Sequence, residues 1–102
     1  MTINKTQDNG KLTLALEGWL DTNTSPQFQQ ALIPLFDEAE EIMLDLKQLA
    51  YMSSAGLRVL LLGQKTAKAK SVPMSLMNVS EEIMEVLDMT GFTDMLTILG
   101  AR

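Results

Sequence analysis

The stretch Ile42 to Leu62, IMLDLKQLAYMSSAGLRVLLL, sets a short apolar run, two adjacent serines and a leucine-rich segment in direct succession. Ile42 to Leu46 reads as a central strand buried on both faces, because a run of this length is too short for a helix and carries only one polar residue. From Ser54 to about Lys70 the pattern turns helical, with lysines gathered toward the C-terminal end where the helix dipole favours them. The leucines of that helix cover more than half its circumference, which predicts a mixture of deep burial and apolar surface left for a partner. A strand leading through Lys47 to Ser53 into a helix is one half of a βαβ unit, and the neighbouring strands should then be parallel.

Working outward, Asn9-Gly10 suits a tight turn between strands at Thr2 to Thr6 and Lys11 to Leu16, which predicts an antiparallel hairpin. Gly18 to Thr24 reads as a polar loop holding the only tryptophan. Ser25-Pro26 suggests an N-cap and a first helical residue, followed by an apolar stripe from Phe28 to Ala39 that Pro34 should bend or shorten. Beyond the second helix, Val72 to Met77 predicts a strand, Ser80 caps a helix that opens on Glu81 and Glu82, and Gly91 ends it. Asp94 to Leu99 supplies the last strand. The expected architecture is α/β, one domain over residues 1–102, with a mixed, mostly parallel sheet of about five strands in the order β-β-α-β-α-β-α-β.

The composition narrows the chemistry. With 102 residues the chain has room for one core, and 46% hydrophobic against 21% charged residues fits a compact fold. Cysteine and histidine are both absent, which removes disulfides, thiolate metal sites and the commonest general base. No metal-ligand spacing is present and no cofactor is implied. A net charge of -5 disfavours nucleic acid and anionic membrane surfaces and leaves a protein as the expected partner. No apolar window is long enough for a signal or a membrane span, and neither end carries a lipidation pattern, so a cytoplasmic location is expected.

Three segments are expected at the carboxyl edge of the sheet, where α/β proteins usually place their sites: Gly18 to Thr24, Lys47 to Ser53, and Asn78 to Ser80. The serine pair would then lie among Asp21, Thr22, Asn23 and Thr24. One serine hydroxyl is expected to cap the helix, and Asp21 to serve a turn or a partner. A catalytic serine finds no activating base, since neither Ser-x-x-Lys nor Gly-x-Ser-x-Gly surrounds it; no enzymatic activity is expected. Ala55 and Gly56 are small enough for close approach by a partner or for close helix-to-sheet packing. Arg58 and Lys65 lie near one face of the helix, and the C-terminal methionines are expected to fill the core.

LDLKQLAYMSSAGLRVLL, Leu44 to Leu61, resembles the signature of STAS domains, and in particular of bacterial anti-sigma factor antagonists. EGWLDTNTSPQF, Glu17 to Phe28, is similar to the Gly-x-Leu-Asp segment of that family, so the likeness spans nearly the whole chain. The resemblance implies a binding module that sequesters an anti-sigma factor with serine kinase activity. It also implies that phosphorylation of Ser54 by that partner releases the complex and that a PP2C-type phosphatase restores it. Where members often carry aspartate before the phosphorylated serine this chain has Ser53, the alternative acceptor. The partner-binding set implied is Asp21, Thr22, Asn23, Ser53, Ser54, Ala55, Gly56 and Arg58. The second reading from the resemblance is an accessory subunit of a membrane transporter complex of the lipid-transport ABC type, in which the serine loop docks a partner without a kinase.

Overall fold

The structure, a computed structural model, describes residues 1–99; Gly100 to Arg102, which carry no lipidation pattern, lie outside them. One five-stranded sheet runs in the order β1 (Thr2–Asp8), β2 (Lys11–Leu20), β3 (Glu41–Met52), β4 (Met74–Met77), β5 (Ile98–Leu99). β1 pairs antiparallel with β2, and the other pairs are parallel. The hairpin turns on Asn9 and Gly10, at φ 50° and 84°, the left-handed pair that a two-residue turn requires. The helices are α1 (Ser25–Leu32), α2 (Ser54–Lys70) and α3 (Glu81–Thr90), and the mixed α/β order matches the expectation.

Leu12, Leu14 and Leu16 on β2 share a face with Ile42, Leu44 and Leu46 on β3 and with Met74 and Leu76 on β4, and all are buried. Each such side chain contributes about 1.5–3 kcal/mol by leaving water. α1 and α2 cover this face: a Cβ added to Gly63 would meet Leu32 Cδ2 at 2.8 Å and Met74 Sδ at 3.1 Å. Pro34 shortens the first helix at Leu32 and leaves a 3-10 turn over Ile33–Asp37, because its ring removes a backbone donor. Ser80 Oγ accepts from the Ile83 N–H at 3.3 Å, and Gly91 ends α3 at φ 77°.

Several boundaries differ from the sequence expectation for identifiable reasons. β2 does not stop at Leu16: a bulge with Gly18 at φ 105° carries it on to Leu20, so Trp19 belongs to a strand and not to a loop. β3 likewise continues through Lys47 and Gln48 to Met52, paired with β2 on one side only, because β4 ends at Met77 opposite Asp45. Polar side chains are tolerated there since no strand flanks them on the β4 side. Asn78 therefore does not reach the serine pair; its Nδ2 donates to Asp45 Oδ1 at 2.9 Å, about 20 Å short of Met52 along the strand. Residues Thr93–Met95 form a 3-10 turn, which confines β5 to Ile98–Leu99. Of the C-terminal methionines, Met74 and Met84 are buried, whereas Met89 and Met95 are 86% and 51% exposed.

Candidate functional site

The long β2–β3 pair ends with Leu20 beside Met52, and both strands turn there into helices. The Ser53 N–H donates to the Leu20 carbonyl at 2.9 Å, which fixes the two exits side by side. On the first exit Asp21 organises the loop. Its Oδ1 accepts from the N–H groups of Asn23 at 2.9 Å and Thr24 at 3.1 Å. Thr24 Oγ1 in turn accepts from the Asp21 N–H and donates to the Trp19 carbonyl at 2.7 Å. Ser25 is buried inside α1 and not its cap; its Oγ donates to the Asp21 carbonyl at 2.6 Å. Thr22 and Asn23 are left exposed at the tip.

On the second exit Ser53 holds the N-cap position of α2 with extended backbone, and its carbonyl accepts from the Leu57 N–H at 3.1 Å. Its hydroxyl does not cap: Ser53 Oγ is buried and has no hydrogen-bond partner. The expected division of labour between the serines is thus only half realised. Ser54 occupies the first helical position with its residue exposed, Ala55 is half-buried, and Arg58 is exposed one turn on. Gly56 faces inward. A Cβ there would fall 2.5 Å from Leu20 Cγ and 3.2 Å from the Leu20 carbonyl oxygen, so its small size serves close packing of helix on strand.

The two exits enclose a groove of about 340 Å³ between α1 and α2, with Thr22, Gln29, Ala55, Arg58 and Leu62 in its lining. Thus Asp21, Thr22, Asn23, Ser53, Ser54, Ala55 and Arg58 gather at one end of the molecule, while Asn78 to Ser80 stay away. The sequence does not single out Gln29 or Leu62; the only signal for Leu62 is that it exceeds what one buried stripe needs. Trp19 and Tyr51, paired in register across β2 and β3, lie 5.4 Å apart between ring centroids with their planes tilted by 46°, and are 60% and 45% exposed. Among the described residues no cluster of His, Cys, Asp and Glu could hold a metal ion, and no helix is long and apolar enough to cross a membrane.

The long central strand pair of this mixed α/β sheet delivers an exposed serine to a helix start. The family model of the STAS domain matches residues 2–100, and the chain belongs to that family. An anti-sigma-B factor antagonist of Bacillus subtilis is 26% identical over 98 residues, spanning 96% of this chain and 90% of that protein. An anti-sigma F factor antagonist of Paenibacillus polymyxa is 30% identical over 100 residues, spanning 96% of this chain and 86% of that protein. The unphosphorylated form of the anti-sigma factor antagonist SpoIIAA matches with a TM-score of 0.80 at 17% identity, over 95% of this chain and 87% of that one. The phosphorylated form of SpoIIAA from Bacillus matches with a TM-score of 0.75 at 17% identity, over 95% and 90%. At that identity the likeness to the solved structures is one of fold.

Proposed function

We propose that this chain is a cytoplasmic anti-sigma factor antagonist, a binding module and not an enzyme, switched by reversible phosphorylation of Ser54. The observation that carries the reading is the exposure of Ser54 at the first position of α2, beside the loop that Asp21 holds rigid. A partner anti-sigma factor with kinase activity transfers the γ-phosphoryl group of ATP to Ser54 Oγ, with loss of the hydroxyl proton and release of ADP. Hydrolysis by a PP2C-type phosphatase returns the hydroxyl and inorganic phosphate. Names of the relatives support the regulatory role.

Electrostatics permits such a switch without refolding. Phosphorylation adds roughly -1.5 to -2 charges, and a helix N-terminus stabilises that charge by about 0.3–2 kcal/mol. A partner packed on the same loop meets the charge in a desolvated contact, where a mismatch costs several kcal/mol, about two decades of affinity. The contact is lost before the fold is disturbed.

Phosphopeptide mass spectrometry after incubation with the kinase tests the reading. Label on Ser54 is expected, with none on a Ser54→Ala variant that still binds the unloaded partner. Equal labelling of that variant would count against Ser54 as the acceptor; Ser53, the alternative, would first have to turn its buried hydroxyl outward. Recovery of a transporter ATPase in place of an anti-sigma factor would favour the accessory-subunit reading.

A further inference from the structure

Helix α2 carries four of the chain's eight lysine and arginine side chains and no aspartate or glutamate, within a chain of net charge -5. Ser54, Arg58, Leu62 and Lys65 are spaced four, four and three residues apart, which places them within about 80° of one another around the helix and over roughly 16 Å of its length. All four are exposed. Neither Arg58 nor Lys65 makes an ion pair among the described residues, whereas Lys70 pairs with Asp37 at 2.9 Å. Arg58 and Leu62 of this stripe also line the groove between α1 and α2, to which Pro26 and Val59 add apolar surface, while Lys65 borders a second hollow with Lys68 and Asp94.

We propose that the stripe and groove receive an acidic, amphipathic helical segment of the protein partner, its carboxylates facing Arg58 and Lys65 and its apolar side chains lying against Leu62. Charge complementarity selects the acid: α2 is a cationic strip on an anionic molecule. The groove lies between two helices, and its apolar anchor on α2, Val59 and Leu62 one turn apart, suits the apolar face of a helix. The proposal rests on the phosphorylation reading and supplies its sign. A phosphate on Ser54 stands at the head of the stripe, where it repels the segment's carboxylates. Standing four residues before Arg58, it also forms an i, i+4 pair that withdraws the guanidinium from the partner. Release then has two sources, both local.

The probe is a helical peptide of about 20 residues with glutamates on one face and leucines on the other, set against a counterpart with lysine at every glutamate. Amide NMR shifts are followed on the whole chain. The glutamate peptide is expected to perturb Gln29, Ala55, Arg58 and Leu62, and the lysine peptide to leave them unmoved. Arg58→Glu with Lys65→Glu, checked for folding by circular dichroism, should weaken peptide binding at least about tenfold, and the anti-sigma factor complex by a similar factor. Phosphorylation should weaken the Arg58→Ala variant less than the wild type, as coupled sites do. Equal binding of both peptides, equal binding of heparin as a bare polyanion, or a double variant within about twofold of wild type would overturn the proposal. A wild-type chain that selects the glutamate peptide yet binds no anti-sigma factor would support the surface and sink the functional reading, so the two failures are distinct.

Discussion

Gly56 of α2 lies directly on Leu20 at the end of β2, so close that a single added carbon would stand 2.5 Å from Leu20 Cγ. Leu20 is fully buried and its carbonyl also accepts from the Ser53 N–H, so the side chain has no room to retreat. This contact sets the height at which the first turn of α2, and with it Ser54, stands above the sheet.

Gly56→Ala is therefore expected to destabilise the chain by about 1–3 kcal/mol, although alanine favours helices by roughly 1 kcal/mol over glycine. Gly63→Ala should cost less, because its nearest obstacles are the ends of Leu32 and Met74, which can shift. Urea melts of the two variants check the ranking; a more stable Gly56→Ala would refute it.

The buried, unpartnered Ser53 hydroxyl leads to a second expectation. Replacing a serine that caps a helix costs about 1 kcal/mol, but removing a buried oxygen without a partner is neutral or stabilising. Ser53→Ala should leave the denaturation midpoint unchanged or raised, and Ser54 should still be labelled.

Asp21 separates loop order from charge. Asp21→Ala removes the acceptor of two backbone N–H groups and is expected to cost about 1–2 kcal/mol. Asp21→Asn keeps an acceptor oxygen and should recover most of that stability. If the carboxylate charge itself meets the partner, the asparagine variant will fold normally yet bind weakly in a calorimetric titration.

Trp19 is the only tryptophan, and it stands 60% exposed against Tyr51. Trp19→Ala should change stability by no more than about 1 kcal/mol, far less than the 3–5 kcal/mol of a buried aromatic such as Phe28. Thermal melts of the Trp19→Ala and Phe28→Ala variants measure the contrast.

Local chemistry was enough to read much of this fold from the chain. The Asn9-Gly10 turn, the Ser80 cap, the Gly91 terminator, the start of α2 at Ser54 and the shortening at Pro34 each follow from one or two residues, and the structure shows all of them. The parallel direction of the later strands followed from alternation of strand and helix, because a helical crossover returns the chain in the same sense. The serine pair and the Asp21 loop met as expected, since both leave the same end of neighbouring parallel strands.

Tertiary structure decided what alternation could not carry. The bulge at Gly18 and the polar pair Lys47-Gln48 interrupt the period of two, yet β2 and β3 continue past them because backbone pairing does not depend on side-chain pattern. That continuation lifts the serine loop beyond β4, exposes Trp19 and Tyr51, and separates Asn78 from the site. Likewise, which serine oxygen turns inward and which residue of α2 touches Leu20 are matters of packing between distant segments. Sequence named the hydroxyls, the glycine and the cations; the contact of helix on strand determined which of them face out.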